Sequence, residues 1–529
     1  MSNIEILNSS IIIRDYQIGS NEKLEHTFSI YDKLYHKFFP KAIYYDGKDL
    51  HLPGGTDIYY VTNSDFSDNI INNRNHNFTK YKILDNVKLK FAPRDEIQKQ
   101  AIRFGIGEGE YINNRHSTQL SINLSTGKGK TYVSIAIFAY YSIRTMMITS
   151  SLDWINQWKD RILEYTNLNE SEVYIISGRS SIAKLLNGMK DIDKIKFFLC
   201  SHSTLKSYAE KYGWNKVSEL FEILKIGIKI YDEAHLFFDS MCMVDFYSNV
   251  WKTYYLTATP NRSDRREDYI YQISFKNVPK ISLFDEENDP HTHYQALLFN
   301  SHPEAYEISS CKTQYGFSIT KYSNYLINKP NYYNMLVILM DIIKKKTTQY
   351  GKVLIYIGTN HAINRTCTWL RYYYPQYTYG IFTSTTPKDI KQQQLSAKII
   401  LSTVKSAGAA VDIYGLEMTI VLNEPFKSQV SAKQTLGRTR ADNTLYLDIV
   451  DVGFSAIQAF HRSKRSIFNK YAKSYNESIL SDYEISNQLD RIKEEEMLYY
   501  QMMQRSLNDP KRKQVVQIIP KEERDKKLV

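Results

Sequence analysis

The sequence predicts an α/β fold with two parallel sheets, each covered by helices on both faces. Short apolar segments alternate with helical patterns in two stretches, residues 88–270 and residues 326–480. Parallel strands need helical crossovers, so this alternation is typical of parallel sheets. At 529 residues the chain is also too long for one ordinary core. We therefore expect two α/β domains of similar size, with smaller segments around them.

Each stretch contains several short segments whose composition predicts buried strands. In the first stretch the predicted strands are Gln119–Leu124, Thr145–Thr149, Phe197–Cys200, Ile228–Tyr231 and Lys252–Leu256. In the second they are Lys352–Ile357, Ile399–Ser402, Met418–Leu422 and Leu445–Val450. Helices are predicted over Tyr132–Tyr140 and Ala362–Tyr374.

Three further segments complete the predicted domain organisation. Residues 1–87 carry mixed short patterns and predict a small N-terminal accessory domain without recognisable chemistry. Residues 271–325 contain loop signals and predict a connecting segment. Residues 481–529 are charged and helix-prone, which is typical of a solvated helix and tail.

Composition restricts the class of protein and its surroundings. The net charge of +11 is compatible with a polyanionic partner, although generic surface lysines explain it equally well. The four cysteines lie far apart without metal-ligand spacing, which predicts reduced, buried thiols. The longest apolar run, residues 134–143, is too short for a membrane span, and the first residues lack a secretory pattern. We expect a soluble intracellular protein that makes no contact with membranes.

The run Ser125-Thr-Gly-Lys-Gly-Lys-Thr131 has the composition of a phosphate-binding loop. Such a loop brings backbone N–H groups close to phosphate oxygens, and Gly127 and Gly129 permit that approach. Lys130 is suited to the β- and γ-phosphates, and the Thr131 hydroxyl is suited to Mg²⁺. The strict pattern requires a glycine where this chain has Leu124. The strand before the loop and the apolar helix after it supply the expected context.

About one hundred residues later, Asp232-Glu-Ala-His235 follows a predicted strand. The strand carries both carboxylates to the edge of the sheet where open α/β folds bind ligands. Asp232 is suited to holding Mg²⁺, and Glu233 to orienting an attacking water. An isolated acidic pair at a strand end is usually a solvated cap, but the phosphate loop makes ATP hydrolysis the better interpretation.

These motifs resemble those of superfamily 2 helicases and translocases of the DEAH-box type. The resemblance covers residues 94–440, some two thirds of the chain, with the motifs in family order. Motif Ia is Ile148–Trp158, motif II is Asp232–His235, motif III is Thr257–Thr259, and motif V runs from Ser402 to Asp412. It implies two RecA-like lobes that bind ATP and Mg²⁺. The extension Ala258-Thr-Pro-Asn-Arg262-Ser-Asp264 after motif III resembles the group of XPB-type translocases, the phage UvsW helicase and the poxvirus transcript-release helicase. Within that group, viral DNA-dependent ATPases are the most similar.

The resemblance implies roles for individual residues. Nucleotide binding is implied for Gln98 of the Q-type motif, for Ser125, Thr126, Gly127, Lys128, Gly129, Lys130 and Thr131 of the phosphate loop, and for Asp412 of motif V. Catalysis is implied for Lys130, Asp232, Glu233, His235, Gln434, Arg438 and Arg440, and metal binding for Thr131 and Asp232. Nucleic-acid contact is implied for Gln157, Ser203, Thr204, Thr257, Thr259, Arg262 and Thr403.

Two motifs depart from the family pattern. Motif Ia lacks the proline that the family has near Ser150. Motif VI normally reads QxxGRxxR, but here Ala441 occupies the last position and Arg440 lies one residue early. Arg438 is therefore the better arginine-finger candidate.

The resemblance predicts a nucleic-acid-dependent ATPase that displaces a strand or a bound transcript, with DNA favoured over RNA. Phosphate contacts position a strand without reading sequence, so little sequence preference is expected. Transcription or replication machinery is a further expected partner, and a viral protein would reside in the cytoplasm or virion. The alternatives are an RNA helicase acting on RNA only and the motor subunit of a restriction-type nuclease. A clamp that binds nucleotide without turnover would need a damaged Lys130, Glu233 or Arg438, and none of the three is damaged.

Overall fold

The structure is a computed structural model and describes the following residues: 3–32, 35–57, 69–74, 81–124, 128–149, 152–188, 191–234, 236–257, 265–283, 292–314, 316–407, 413–436, 443–486, 488, 490 and 491. The chain divides into two compact units, residues 1–286 and residues 287–529. Each unit is built around a seven-stranded sheet in which all paired strands run parallel. The predicted α/β class with two RecA-like parallel sheets is confirmed.

Seven short strands of the first unit form a mixed N-terminal sheet and a separate hairpin. They are β1 (Ile4–Ile6), β2 (Ser10–Ile13), β3 (Ser29–Asp32), β4 (Lys37–Pro40), β5 (Tyr44–Tyr45), β6 (Leu50–Pro53) and β7 (Ile70–Asn72). The sheet has the order β5-β6-β2-β1-β7, whereas β3 and β4 pair only with each other. Its residues share a hydrophobic core with one face of the large parallel sheet. The accessory segment is thus packed into the first unit.

The large sheet of the first unit has the order β10-β11-β9-β12-β13-β8-β14. Its strands are β8 (Gln119–Leu124), β9 (Thr145–Thr149), β10 (Val173–Ile176), β11 (Phe197–Ser201), β12 (Ile228–Tyr231), β13 (Lys252–Thr257) and β14 (Lys280–Leu283). All residues of β8, β9, β11, β12 and β13 are buried. Burial on both faces agrees with the apolar centres of β9 and β11. Strands β8, β12 and β13 also bury polar side chains, which are Gln119, Ser121, Asn123, Lys229, Lys252 and Thr253.

Helices connect these strands and cover the sheet. They are α1 (Glu22–Thr27), α2 (Glu96–Ile106), α3 (Lys130–Tyr141), α4 (Leu152–Tyr165), α5 (Gly178–Leu186), α6 (His202–Tyr212), α7 (Trp214–Ile223), α8 (Phe238–Phe246) and α9 (Arg265–Ser274). Helix α3 is buried from Tyr132 to Ala139, in agreement with its uniformly apolar sequence.

The sheet of the second unit has the order β19-β20-β18-β21-β22-β15-β23. Its strands are β15 (Thr292–Phe299), β18 (Lys352–Tyr356), β19 (Tyr379–Phe382), β20 (Ile399–Ser402), β21 (Leu416–Val421), β22 (Thr444–Asp451) and β23 (Ser474–Ile479). The short strands β16 (Lys312–Thr313) and β17 (Gly316–Phe317) form a separate hairpin. The helices are α10 (Ala305–Ser310), α11 (Ile319–Leu326), α12 (Pro330–Lys346), α13 (Asn360–Tyr373), α14 (Lys391–Ser396), α15 (Val404–Ala407), α16 (Gln429–Leu436), α17 (Ser455–Tyr471) and α18 (Asp482–Ser486).

All nine predicted strands are present, with ends that differ by at most two residues. Residues 271–325, expected to be a connecting segment, instead contribute β14 to the first sheet and β15 to the second. The loop signals in this segment hid β15, whose side chains are alternately buried and half-buried over most of its length. The predicted charged tail lies outside the described residues from residue 492 onward.

Two composition-based expectations have a structural counterpart. All four cysteines are buried free thiols. Burial raises the pKa of the Cys200 thiol to about 12. None of the described helices has the length and apolar character needed to cross a membrane.

A buried ion pair stabilises the second sheet. Lys464 on α17 donates to Asp448 on β22 at 3.0 Å, and both side chains are at most 3% exposed. The Tyr294 hydroxyl donates to the same carboxylate oxygen at 3.0 Å. Burial alone would raise the pKa of Asp448, but the Lys464 ammonium and the His461 ring outweigh it and lower this pKa. Removing one partner would leave an uncompensated buried charge.

We predict that Lys464→Met destabilises the second unit because Asp448 loses its cation. Breaking a buried pair typically costs about 3–5 kcal/mol. For a unit of this size that corresponds to a melting temperature lower by about 10 °C. Lys470→Met, at the exposed end of the same helix, is the matched control and should change little. Calorimetric melting of both variants checks the prediction, and equal melting temperatures would contradict it.

Candidate nucleotide and nucleic-acid site

The candidate site of the first unit lies at the carboxyl edge of its parallel sheet. Strand β8 ends at Leu124 before the phosphate loop, and β12 ends at Tyr231 immediately before Asp232. The two strands are not neighbours, because β13 lies between them. The parallel arrangement nevertheless brings their carboxyl ends to the same edge.

The described end of the phosphate loop leads directly into helix α3. Gly129 is in the left-handed region with φ of 83°, and α3 begins at Lys130. The positive φ favours glycine at this position, and a Cβ atom there would lie 2.2 Å from Nε2 of Gln98 and displace that side chain. The N-cap residue of α3 is Gly129, which has no side chain to cap the helix. Its first N–H groups and the Lys130 ammonium are thus suited to an anion such as phosphate.

Gln98, on helix α2, is hydrogen-bonded to this loop. Its side-chain amide donates to the Lys128 carbonyl at 3.4 Å and accepts from the Arg94 backbone N–H at 2.8 Å. Asp95 caps α2 by accepting from the Gln98 backbone N–H at 2.9 Å. Gln98 is buried, and both ends of its amide are bonded. The Q-type motif and the phosphate loop are therefore joined by one side chain.

Lys130 and Glu233 form an ion pair with a separation of 2.6 Å between Nζ and Oε1. Both side chains are largely buried, at 12% and 13% exposure. Ion pairs at this depth are screened less by water than surface pairs. The structure thus brings together the predicted phosphate-binding cation and the predicted water-orienting carboxylate.

Glu233 reaches Lys130 through an unusual backbone conformation. Its φ is +49°, in the left-handed region that residues with a Cβ rarely occupy. The flanking backbone is held on both sides of β12, because Asp232 donates to the Ile148 carbonyl at 3.1 Å and Ala234 to the Leu256 carbonyl at 2.9 Å. Such strain typically costs about 1–3 kcal/mol and persists only where the surroundings over-determine the conformation.

Asp232 accepts two hydrogen bonds beside this pair. Trp158 Nε1 donates to its Oδ2 at 2.9 Å, and the Glu233 backbone N–H donates to its Oδ1 at 3.1 Å. Burial, followed by the charge of Glu233, raises the pKa of Asp232 to about 6. A nearby divalent cation would stabilise the charged form of a carboxylate in this environment. The hard oxygen donors of Asp232 and Thr131 are those that Mg²⁺ prefers, so this residue set fits the metal.

A buried polar network underlies these residues. The hydroxyls of Tyr231 and Tyr255 donate to the two carboxylate oxygens of Asp245 at 2.8 and 2.7 Å. Lys229 lies 2.5 Å from the same carboxylate, and Gln119 donates to the Tyr255 hydroxyl at 2.6 Å. The network joins β8, β12, β13 and α8, which are the elements that carry the phosphate loop and motif II. It therefore resists relative movement of these elements.

The predicted nucleic-acid contacts of the first unit differ in accessibility. Gln157 on α4 and Ser203 on α6 are exposed. Thr204 and Thr257 are buried, and the Thr204 hydroxyl lies 2.9 Å from the hydroxyl of Ser201, the residue that caps α6. Gln157 and Ser203 are the two of these four that present side chains to solvent.

In the second unit, Thr403 caps the short helix α15. Its hydroxyl accepts from the Ser406 backbone N–H at 3.1 Å. The Glu424 carboxyl accepts from the Val404 backbone N–H at 2.6 Å, and burial raises the pKa of Glu424 to about 8. Glu424 thus also stabilises the start of this motif V helix.

Several predicted residues lie outside the described part of the chain. They are Ser125, Thr126, Gly127, His235, Thr259, Arg262, Asp412, Arg438 and Arg440, together with the side chain of Gln434. The roles assigned to them stay predictions.

Sequence reasoning missed two residues that contact the motifs. Trp158 lies within motif Ia, but nothing in its sequence context indicates a bond to Asp232, which is 74 positions away. Glu424 follows β21 in a stretch without a recognised motif. Neither contact has a local sequence signal, because the bonded residues are 74 and 20 positions apart.

Comparison with known proteins supports the family resemblance. Residues 11–262 match the family model described as "Type III restriction enzyme, res subunit". The chain is 27% identical over 150 residues to the DNA 3'-5' helicase XPB of Kineococcus radiotolerans, covering 28% of this chain and 25% of that protein. It is 23% identical over 383 residues to the general transcription and DNA repair factor IIH helicase/translocase subunit XPB of Enterocytozoon bieneusi, covering 69% and 59%.

Among solved structures, S. cerevisiae Dbp5 bound to RNA and ADP BeF3 matches with a TM-score of 0.48 and 13% identity, covering 75% of this chain and 93% of that one. The aligned regions span only 25% and 59% of the two XPB relatives. With the family model and these relatives, the resemblance to superfamily 2 helicases and translocases of the XPB type is confirmed.

We predict that Trp158→Phe weakens the use of Mg²⁺ while leaving the fold intact. Phenylalanine keeps most of the ring packing but removes the N–H that orients Asp232. Loss of a group that orients a metal ligand typically costs about 10–100-fold in metal affinity. Trp154→Phe, one turn earlier on α4, is the matched control. ATP hydrolysis titrated with Mg²⁺ should show the higher requirement only for Trp158→Phe, and coincident curves would refute the assigned role.

Proposed function

We propose that this protein is an ATP-dependent DNA helicase or translocase whose ATP hydrolysis depends on nucleic acid. The observation that carries the proposal is the grouping of Lys130, Glu233 and Asp232 at the carboxyl edge of the first parallel sheet. A cation, a carboxylate suited to orienting water and a carboxylate suited to Mg²⁺ are the groups that phosphoryl transfer to water requires. They lie where the helix α3 N-terminus favours phosphate.

Each residue has a distinct role in this proposal. Lys130 and the first N–H groups of α3 bind the terminal phosphates, and Gln98 holds the loop that contains them. Thr131 and Asp232 hold Mg²⁺, which neutralises phosphate charge when it is bound. Glu233 orients the attacking water. Trp158 keeps the Asp232 carboxylate in position.

Nucleotide binding would change the contacts of Lys130 and Glu233 together, because the two residues form an ion pair. Phosphate oxygens compete with Glu233 for the Lys130 ammonium, because the ion pair occupies that cation at 2.6 Å. When Lys130 turns to phosphate, the Glu233 carboxylate loses this cation and can accept a hydrogen bond from water. Nucleotide binding would thereby activate the carboxylate that hydrolysis needs.

DNA is favoured as the nucleic acid because both XPB relatives are named as DNA enzymes or DNA repair factors. The net charge of +11 and the exposed side chains of Gln157 and Ser203 suit contact with phosphates. The same proposal includes the DEAH-type role of His235, a function in transcription and a viral origin. An RNA-only helicase and a restriction-type motor are the competing functions.

ATP turnover measured with single-stranded DNA, duplex DNA and RNA of equal length tests the function. We expect stimulation by DNA, little dependence on its sequence, and weaker binding as salt rises. Lys130→Ala should abolish turnover because it removes the ammonium at the start of α3 that is proposed to bind the terminal phosphates. Glu233→Gln should preserve ATP binding while turnover falls by orders of magnitude. Stimulation by RNA alone would favour the RNA helicase, and undiminished turnover in Lys130→Ala would exclude the assigned loop.

The irregular motif VI provides a separate prediction. If Arg438 is the arginine finger, Arg438→Ala should reduce stimulated turnover by about 10³-fold or more with a modest loss of ATP binding. Arg440→Ala should cost less, since a shift of one residue turns a helical side chain by about 100°. Stimulated rates of the two variants measured together decide the assignment. A larger loss for Arg440→Ala would make Arg440 the finger.

A further inference from the structure

Four aromatic rings next to the acidic motif form a row in which each ring is nearly parallel to the next. The centroids of the Phe237 and His202 rings are 5.2 Å apart, and their planes differ by 19°. His202 and Tyr231 are 5.6 Å apart at 8°, and Tyr231 and Tyr255 are 5.6 Å apart at 9°. These distances are typical of offset-stacked rings. Phe237, His202, Tyr231 and Tyr255 are called the ring row below.

Every ring of the row lies in or next to a predicted motif. His202 is the second residue of Ser201–Leu205, which resembles motif Ib of the helicase family. Tyr231 directly precedes motif II, and Phe237 follows that motif by two residues. Tyr255 lies on β13, two residues before motif III. The row therefore connects three motifs that are distant from one another in the sequence.

His202 is the member of the row that contacts both ends of motif II. Its ring is stacked with Tyr231 before the motif and with Phe237 after it. The residue is 2% exposed, and burial lowers its pKa to about 3, so the ring is neutral near pH 7. Its Nδ1 atom has no hydrogen-bond partner among the described residues. Ring packing, and neither a charge nor a hydrogen bond at Nδ1, therefore holds His202 against motif II.

On the other side, His202 directly precedes a predicted nucleic-acid contact. This contact is Ser203, whose side chain is exposed in the first turn of α6. The Ser203 hydroxyl lies 2.9 Å from the Ser201 hydroxyl, which accepts from the Thr204 backbone N–H at 3.2 Å. A phosphate oxygen bound to Ser203 would compete with Ser201 for this hydroxyl. Phosphate binding would thereby change the first turn of α6, to which His202 belongs.

Motif II contains a strained backbone on which small displacements can act. Glu233 has a φ of +49°, and its Oε1 is paired with Lys130. Such a conformation persists only while its surroundings over-determine it. The Leu236 backbone N–H donates to the Glu233 carbonyl at 2.9 Å, so Tyr231 and Phe237 flank a bonded turn. A displacement of either ring would therefore act on the Glu233 backbone.

We infer that His202 is a positioning residue that couples nucleic-acid binding at motif Ib to ATP hydrolysis at motif II. The inference rests on the proposed function for the identity of both ligands. A strand bound at Ser203 moves the first turn of α6, and the His202 ring transmits that movement to the two rings that flank motif II. Glu233 then leaves Lys130 and orients water. His202 itself touches neither nucleotide nor nucleic acid.

Ordinary core packing is the competing explanation, because this chain stacks rings elsewhere. Tyr294 and Phe468 in the second unit, for example, are stacked at 4.0 Å and 19°. Packing alone predicts that loss of a ring lowers stability and leaves the ratio of stimulated to basal turnover unchanged. Coupling predicts that this ratio falls. Because coupling between two binding sites is reciprocal, it also predicts a smaller effect of bound nucleotide on the affinity for DNA.

The variants His202→Leu and His202→Phe test the inference. Leucine is apolar but cannot stack, whereas phenylalanine keeps a ring and removes the unpartnered nitrogen. Coupling between sites is typically about 5–150-fold, so stimulation of ATP turnover by single-stranded DNA should fall about fivefold or more in His202→Leu. Basal turnover and the KM for ATP should stay close to those of the parent. His202→Phe should restore the stimulation.

Tyr208→Leu is the matched control, because it removes another buried ring of α6 that lies outside the row. Its ratio of stimulated to basal turnover should equal that of the parent. Phe237→Leu is a second test for the case that His202→Leu does not fold. The Phe237 ring is 37% exposed, so its loss should cost little stability, and stimulation should fall as it does in His202→Leu.

A binding measurement gives the equilibrium counterpart. The affinity for a fluorescent oligothymidine strand is measured with and without a non-hydrolysable ATP analogue and Mg²⁺. The analogue should change this affinity in the parent and in His202→Phe. In His202→Leu the change should be much smaller, while the affinity without nucleotide stays close to that of the parent.

The remaining outcomes would overturn the inference. A parental ratio of stimulated to basal turnover in both His202→Leu and Phe237→Leu would assign the row to packing, as would an equal loss of both rates. Failure of His202→Phe to restore stimulation would exclude ring stacking as the link. Absence of stimulation by any nucleic acid in the parent would refute the proposed function as well, whereas the other outcomes leave that function standing.

Discussion

The parallel alignment of β8 and β12 on either side of β13 is the constraint on which the candidate site depends. It places Lys130 and Glu233 within 2.6 Å although 103 positions separate them in the chain. The Asp245 network keeps these strands in register by joining Tyr231, Tyr255 and Lys229 below the site. A buried network of this kind is costly when it is incomplete, so it holds one arrangement.

Asp232, Glu233 and Ala234 of the acidic motif are fixed by hydrogen bonds to three neighbouring elements. The backbone on both sides of Glu233 is bonded to β9 and β13, and Trp158 bonds the side chain of Asp232 from α4. Motif Ia, motif II and the Q-type motif are therefore connected through hydrogen bonds as well as through the sheet. Gln157, a predicted nucleic-acid contact, directly precedes Trp158, whose indole N–H donates to the predicted metal ligand Asp232.

The N-terminal segment forms the small mixed-sheet domain that the sequence predicted, and it packs closely on the first unit. Its sheet shares a core with the large sheet, and its hairpin is bonded to α8 and α9. Asn8 donates to the Val250 carbonyl at 2.8 Å, and Thr118 donates to the Asn8 carbonyl at 2.8 Å. These contacts join residues more than one hundred positions apart, so no local pattern indicated them.

The sequence by itself determined the α/β class and the positions of the central strands. It also determined two motifs, the basic phosphate loop and the acidic motif Asp232–His235. Each of these follows from local composition, since buried parallel strands are rich in apolar residues and a phosphate loop needs glycines at fixed spacing. Only the tertiary structure decided that β15 belongs to the second sheet, that Trp158 bonds Asp232, and that the N-terminal hairpin is fastened beside motifs II and III. Those features depend on contacts between distant segments. Such contacts produce no local periodicity or composition that could be recognised in the sequence.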